Sequence, residues 1–343
     1  MGFKVAVPLK VGGESEKYPE RFRELGVEIV MEHCTSDEEF VTLARDADAV
    51  ITVGSIRPVP RQVIAGLEHC KLISNTQIGY DSIDVEAATE RGILVTNVPD
   101  YCVEEVSDHA MALILACARR VVQLHEAAKR GQWGLSPDGI EIQSRIWPSL
   151  VRLQGRTLGL LGLGKVSRAL VPKAQGFQLR LIAHDPKVPP EIFQRLGVKM
   201  VDLQGLLTES DFLSIHAALT PETTHILGQE EFRQMKSTAC LINTSRGAIV
   251  DESALSHALR REEIAMAALD VTDPEPPESA SPLLSMENVI VTAHSAFFSP
   301  VSEADRWYRP TEEVARVMRG EWPTALVNPQ AREKYQEIWG PMR

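Results

Sequence analysis

Apolar and polar positions alternate along this chain with two periods, in short apolar runs of strand length and in stretches of helical spacing. In the first part of the chain the predicted strands are residues 3–8, 27–31, 49–53, 71–76 and 94–98. The segments between them, such as residues 37–45, have helical spacing and short connections. Strands that alternate with helices predict a parallel α/β sheet.

A second series of the same kind starts near residue 157, with predicted strands at residues 158–161, 179–183, 198–201, 212–216, 240–244, 267–271 and 289–292. Between the two series lies the longest helical pattern, residues 101–130, which Gly131 is predicted to end. Residues 132–155 then form an excursion, and a connection of that length usually has a function. We predict one domain from residues 1–101 and 300–343, and a second domain, residues 102–299, inserted into it.

The second series opens with a glycine turn. The apolar run 158–161 enters Gly162-Leu163-Gly164, and Lys165 and Val166 begin a helical pattern at once. A helix start after a strand offers free N–H groups and a helix dipole to a bound phosphate. Gly162 is expected to make the turn, and Gly164 to let a pyrophosphate approach the backbone.

An acid follows this turn at the spacing of a dinucleotide site. Asp185 ends the next predicted strand, about 20 residues beyond the glycines, where an acid holds the ribose hydroxyls of NAD. The same acid repels the extra phosphate of NADP, although Lys187 nearby softens that preference. The third glycine of the motif is replaced by Ser167, which is small enough for close helix–strand packing. We therefore predict NAD as the cofactor.

Three residues with acid–base or anion-binding side chains follow three successive strands of the second series. Arg246 follows the strand 240–244, Glu275 lies shortly after 267–271, and His294 comes directly after 289–292. In a parallel sheet the carboxyl ends of the strands share one edge. The glycine turn lies at that same edge. His216, the last residue of the predicted strand 212–216, is expected to line the same cofactor crevice.

Hydride transfer between NADH and a 2-oxo acid needs these three side-chain types. An arginine forks to the substrate carboxylate and carbonyl oxygen. A histidine supplies the proton that the oxygen gains, and a neighbouring carboxylate orients and charges that histidine. Each residue also has a plainer interpretation, as a surface cation, a solvated acid in a proline-rich loop and a structural loop histidine. The remaining histidines, including His109, have no pattern and are expected to be structural or solvated.

Composition narrows the class of protein. The chain has 343 residues, 44% of them apolar, and a net charge of −11 without a long basic run, so a nucleic-acid or membrane partner is not expected. The five cysteines are scattered without CxxC spacing, which is typical of a reducing cytoplasm. No metal-ligand spacing is present, so no metal is predicted. Residues 1–11 are interpreted as a first strand rather than a signal peptide.

The chain resembles the D-isomer-specific 2-hydroxyacid dehydrogenase family in stretches that follow the family's order: IGYDSIDVEAATERGILVTNVP (78–99), LGLLGLGKVS (158–167), IHAALTPETTHILG (215–228), LINTSRGAIVDESAL (241–255), AALDVTDPEPP (267–277) and NVIVTAHSA (288–296). The resemblance implies a catalytic set of Arg246, Glu275 and His294, with Thr244 and Asp270 near the nicotinamide. It implies that backbone N–H groups at Ile78 and Gly79 hold the substrate carboxylate. It also implies a homodimer joined through residues 103–152. The fold class predicted is α/β with two doubly wound parallel sheets, a Rossmann NAD-binding domain inserted in a flavodoxin-like substrate domain.

Within the family the chain is most similar to the C-terminal-binding-protein branch, through residues 97–120 and 294–310. It departs from the usual patterns at Ala293, where the family has proline, and at Phe297-Phe298, where that branch has tryptophan and tyrosine. Three hypotheses follow: an NAD-dependent D-2-hydroxyacid dehydrogenase, an NAD(H)-sensing regulatory dimer with little turnover, and a formate-type dehydrogenase, which an amide at position 275 would suit better. The sequence does not distinguish glyoxylate, pyruvate, phosphohydroxypyruvate or bulkier acids; Arg57 is a candidate for an anionic substrate tail.

Overall fold

The computed structural model describes residues 2–10 and 18–343, so that Met1 and Val11, at the ends of the predicted first segment, lie outside it. The chain divides into two compact units. The first comprises Met1–Tyr101 and Ser299–Arg343, and the second comprises Cys102–Phe298. Each unit contains one parallel β-sheet flanked by helices.

The described strands are, in chain order, β1 (Lys4–Val7), β2 (Glu28–Met31), β3 (Ala49–Thr52), β4 (Leu72–Asn75), β5 (Leu94–Thr96), β6 (Thr157–Leu161), β7 (Arg180–His184), β8 (Lys199–Met200), β9 (Phe212–Ile215), β10 (Cys240–Asn243), β11 (Met266–Leu269) and β12 (Val289–Val291). The described α-helices are α1 (Tyr18–Glu24), α2 (Asp37–Ala44), α3 (Arg61–Gly66), α4 (Val85–Glu90), α5 (Val103–Arg119), α6 (Val121–Lys129), α7 (Lys165–Gly176), α8 (Pro190–Leu196), α9 (Leu203–Glu209), α10 (Gln229–Gln234), α11 (Glu252–Arg260), α12 (Pro300–Met318) and α13 (Arg332–Trp339).

The first unit has a five-stranded parallel sheet in the order β2-β1-β3-β4-β5, which is the flavodoxin-like order. Successive residues of β3 face opposite sides, so Val50 packs in one apolar cluster while Ala49 and Ile51 pack in another. Phe40 of α2 belongs to the first cluster, and Trp307 of α12 belongs to the second. Both faces of this sheet are therefore covered, as a parallel sheet requires.

The second unit has a seven-stranded parallel sheet in the order β12-β11-β10-β9-β6-β7-β8. Its strand order reverses between β6 and β9, which is the Rossmann arrangement extended by one strand. Ligands of such sheets bind beyond the carboxyl ends of the strands, at the point of reversal. The predicted fold class, two doubly wound parallel sheets with a Rossmann NAD-binding domain, is confirmed.

The helical pattern over residues 101–130 forms two helices rather than one. Arg120 adopts a left-handed conformation with φ 51° and ψ 37°, and its N–H bonds back to Ala116 and Cys117, closing α5. Its guanidinium Nε donates to Ser149 Oγ at 3.1 Å. This contact with the excursion stabilises the break between α5 and α6. Neither glycine nor proline marks this position, and the apolar spacing runs on through it, so the pattern predicted a continuous helix.

The longest described helix is instead α12, with 19 residues, against 17 for α5. The excursion itself contains short helical turns at Pro137–Gly139, Ile142–Ile146 and Trp147–Ser149. None of the helices within residues 2–10 and 18–343 has the length and apolar character that crossing a membrane requires.

Candidate active site

The glycine turn lies between β6 and α7. Gly162 has φ 92°, and a Cβ there would lie 2.8 Å from the backbone nitrogen of Ala217, so both conformation and space require glycine. Gly164 is the N-cap of α7, is exposed, and has nothing within 4 Å of the place where a Cβ would stand. Lys165 and Val166 open the helix, so the first helical N–H groups face an open approach suited to a pyrophosphate.

Two polar side chains hold this turn. Asp185, directly after β7, accepts hydrogen bonds from the backbone nitrogens of Leu163 at 2.8 Å and Lys187 at 2.9 Å. Ser167, at the third position of the glycine motif, is fully buried and donates its hydroxyl to the carbonyl of Gly162 at 2.7 Å. Serine therefore fits in place of the third glycine. Its side chain is buried against the turn, and its hydroxyl fixes the turn through this hydrogen bond.

His216 follows β9 at the point where the strand order reverses. Its backbone nitrogen donates to the carbonyl of Leu161 at 2.8 Å, next to the glycine turn, and its Nε2 pairs with Ser214 Oγ at 2.9 Å. Burial lowers the pKa of His216 to about 4, although part of its surface remains exposed. The imidazole is therefore neutral near pH 7.

Arg246 follows β10 in an extended conformation, and two contacts fix its backbone. The buried Asn243 donates its side-chain amide to the carbonyl of Arg246 at 2.9 Å. A Cβ on Gly247 would lie 2.1 Å from the backbone of Thr272, so the loops after β10 and β11 touch. A buried asparagine at a strand end has no distinctive local pattern, so the sequence gives no signal for Asn243.

His294 and Glu275 are brought together by the structure. The carboxylate Oε1 of Glu275 pairs with Nδ1 of His294 in a short contact, with side-chain exposures of 39% and 28%. The Phe297 ring lies nearly perpendicular to the imidazole, with an interplanar angle of 83° and ring centroids 6.0 Å apart. An imidazole held through Nδ1 in this way can exchange a proton through the opposite ring nitrogen, Nε2.

The backbone around His294 is unusual. Ala293 and His294 both lie in the left-handed region, with φ 50° and 51°. Proline is restricted to φ near −65°, so the proline that the family has at this position does not fit this backbone. Because residue 293 is alanine rather than proline, it can adopt the left-handed conformation found in the loop that presents His294.

Asp270, directly after β11, organises that loop. Its buried carboxylate accepts hydrogen bonds from Thr292 Oγ1 at 2.6 Å and from the backbone nitrogens of Ser295 at 2.9 Å and Ala296 at 3.0 Å. Its carbonyl also accepts from the backbone nitrogen of His294 at 2.6 Å. These bonds use most of the acceptor capacity of a carboxylate, so Asp270 binds the histidine loop on both sides.

Thr244, between Asn243 and Arg246, has a buried hydroxyl with no hydrogen-bond partner among the described residues. An orphaned buried hydroxyl at the carboxyl edge of the sheet fits a polar group of a bound dinucleotide. Together with the open approach at Gly164 and the carboxylate of Asp185, it makes the second unit compatible with NAD.

Ile78 and Gly79 lie in the first unit, after β4. The side-chain amide of Asn97 donates to the carbonyl of Ile78 at 2.7 Å, and that of Asn75 donates to the carbonyl of Gly79 at 2.6 Å. In a trans peptide the N–H points opposite to the preceding C=O. The N–H groups of Gly79 and Tyr80 therefore point away from these asparagines.

Comparisons with known proteins agree with this geometry. The family model for the D-isomer specific 2-hydroxyacid dehydrogenase NAD binding domain matches residues 111–296. A glyoxylate reductase of Korarchaeum cryptofilum is 37% identical over 297 residues, which cover 85% of this chain and 86% of that protein. A D-3-phosphoglycerate dehydrogenase of Methanocaldococcus jannaschii is 39% identical over 85% of this chain, but the chain spans only 53% of its length.

Among solved structures, a Thermus thermophilus protein with 33% sequence identity superposes with a TM-score of 0.83, covering 95% of this chain and all of that one. The matched family model is an NAD binding domain, which confirms the prediction of NAD as the cofactor. The relatives named here are a reductase and a dehydrogenase, and they give no support to the predicted likeness to the C-terminal-binding-protein branch.

Proposed function

The chain belongs to the D-isomer-specific 2-hydroxyacid dehydrogenase family, and we propose that it reduces a small 2-oxo acid to the D-2-hydroxy acid with NADH. The observation that carries this proposal is the His294–Glu275 pair, which lies at the carboxyl edge of the sheet that presents the glycine turn. An imidazole backed by a carboxylate is a proton donor for a carbonyl oxygen that gains charge.

In this proposal His294 gives the proton on Nε2 to the substrate carbonyl oxygen, and Glu275 stabilises the imidazolium before transfer. NADH, when bound, supplies the hydride to the carbonyl carbon. In the reverse direction neutral His294 takes the hydroxyl proton.

Arg246 binds the substrate in this proposal. Its guanidinium is permanently charged and can fork between the substrate carboxylate and the reacting oxygen. The contacts from Asn243 and the close approach at Gly247 hold the Arg246 backbone before the substrate arrives.

Glyoxylate is the substrate that we propose to test first. The relatives that match over most of their length include glyoxylate reductases, whereas the phosphoglycerate dehydrogenase extends well beyond this chain. Arg57, the candidate for an anionic tail, already pairs with Asp37 at 2.9 Å and stacks over Phe40 at 5.6 Å. This guanidinium already has partners within the first unit. Its pairing therefore favours a substrate with a single anionic group over one with a second anionic tail.

We further propose a homodimer joined through the excursion after α6. Apolar side chains of this segment are exposed, with Leu135 at 95%, Ile140 at 70% and Trp133 at 66%. Neighbouring exposed apolar groups of this size favour burial against a second copy of the same surface. Leu135→Asp should lower the mass measured by light scattering towards that of one chain, and the control Met200→Asp, at an exposed apolar residue on β8, should not.

The test of the activity is NADH oxidation in the presence of glyoxylate, pyruvate and phosphohydroxypyruvate, with the purified wild type and His294→Asn. We expect turnover with the highest kcat/KM on a small acid without phosphate, and a loss of about 10²–10⁴-fold in His294→Asn. NADH binding by fluorescence should survive the substitution. A wild type that reduces none of the three acids, or an unimpaired His294→Asn, would overturn the proposal.

A further inference from the structure

A histidine outside the proposed catalytic set contacts the loop that carries His294. His109, on α5, places its Nε2 at 2.9 Å from Thr292 Oγ1 and at 3.6 Å from Asp270 Oδ1. Thr292 Oγ1 lies 2.6 Å from the same carboxylate oxygen. The imidazole of His109 is 24% exposed, and the carboxylate of Asp270 is 1% exposed.

The direction of each hydrogen bond in this chain follows from the number of hydrogens. A carboxylate only accepts, so the single hydroxyl hydrogen of Thr292 points to Asp270. The bond between Thr292 and His109 must then use a hydrogen on Nε2 of the imidazole. His109 therefore donates to Thr292, Thr292 donates to Asp270, and Asp270 accepts from the amides of Ser295 and Ala296 beyond His294.

We propose that His109 is a positioning residue for His294, acting through Thr292 and Asp270. The proposal rests on the proposed function, in which His294 is the proton donor. Ala293 and His294 both have positive φ, and contacts with neighbouring residues are needed to hold them in that conformation. The backbone nitrogen of His294 and the amides after it are all bonded to Asp270. His109 holds the hydroxyl of Thr292 towards the carboxylate of Asp270. In this way it keeps that carboxylate aligned with the loop that carries His294.

A positioning role predicts that substitutions at His109 change kcat but leave KM and the affinity for NADH nearly unchanged. His109→Leu removes the donor, and we expect kcat to fall by about 10-fold to 10²-fold, since small displacements of a catalytic group cost that much. The KM for the oxo acid and the affinity for NADH should change little. His109→Gln, which can place an amide N–H near the position of Nε2, should recover most of the lost kcat. His257→Leu, at an exposed histidine on α11, is the matched control and should behave as wild type.

Thr292→Val provides a second route to the same test. It keeps the side-chain shape but removes the hydroxyl through which His109 acts. The double variant His109→Leu/Thr292→Val should then be no slower than Thr292→Val alone. Effects that multiply fully in the double variant would overturn the proposal.

Hydrogen exchange supplies a measurement that does not depend on turnover. The amides of Ser295 and Ala296 should exchange faster in His109→Leu and in Thr292→Val than in the wild type, while the amides of β6 should not. If the wild type reduces no oxo acid but this local acceleration is seen, the proposed function fails and the contact between His109 and the loop stands. If the wild type is active and His109→Leu changes neither kcat nor local exchange, the positioning role is wrong.

Discussion

Glu275→Gln tests the proposed acid–base pair, because it keeps the size of the side chain and removes its charge. Reduction of the oxo acid needs protonated His294, and the carboxylate of Glu275 stabilises that form. Without the charge the imidazolium loses this stabilisation, so kcat/KM for reduction should fall. Oxidation, which needs neutral His294, should be less affected.

The magnitude follows from the exposure of the pair. Opposite unit charges about 4 Å apart attract by about 1 kcal/mol in water and about 4 kcal/mol in a typical protein surface environment. With 28% of the His294 side chain and 39% of the Glu275 side chain exposed, the lower part of that range applies. About 1–2 kcal/mol corresponds to a loss of about 5- to 30-fold in kcat/KM for reduction.

The assay is kcat/KM for the oxo acid at saturating NADH and for the hydroxy acid at saturating NAD, measured for the wild type, Glu275→Gln and a control. Glu278→Gln is the matched control, since it removes an exposed acid from the same proline-rich loop. An unchanged kcat/KM for reduction in Glu275→Gln would refute the coupling of the carboxylate to the proton donor. An equal loss in Glu278→Gln would assign the effect to general charge rather than to the pair.

Three further predictions address the cofactor, the substrate and stability. Asp185→Ser should reduce the preference for NADH over NADPH by roughly 1–3 kcal/mol, mainly by weakening NADH; equal use of both cofactors by the wild type would contradict this. Arg246→Lys should cost about 2–4 kcal/mol in kcat/KM, with unchanged NADH fluorescence titrations, because lysine cannot fork; near-full turnover on every accepted acid would disprove the role. His216 has a folded-state pKa of about 4, below its ordinary 6.5, so unfolding takes up a proton between these values and stability falls as pH drops through that window. His216→Gln should reduce the loss of unfolding free energy between pH 7 and pH 4.5 by roughly 2–3 kcal/mol in denaturant titrations, and an unchanged loss would show that another group is responsible.

Local patterns in the sequence were sufficient to predict the strands and the parallel α/β architecture of both sheets. The apolar run 158–161, the turn at Gly162 and Gly164 and the acid at Asp185 are adjacent in sequence, and periodicity and backbone conformation act over such short distances. Because parallel strands bring their carboxyl ends to one edge, chain order alone also predicted that Arg246 and His294 share that edge.

Only the tertiary structure decided the contacts between residues far apart in the chain. The turn at Arg120 is held by Ser149, 29 residues away, and the bond of His109 to Thr292 joins residues 183 positions apart. Neither contact has a periodic signal, since an isolated polar side chain on a helix has the same local pattern whether it meets solvent or a buried carboxylate. The left-handed conformation of Ala293 likewise depends on Asp270, which holds the loop around it. Sequence periodicity thus determined which elements form, and packing decided which side chains meet.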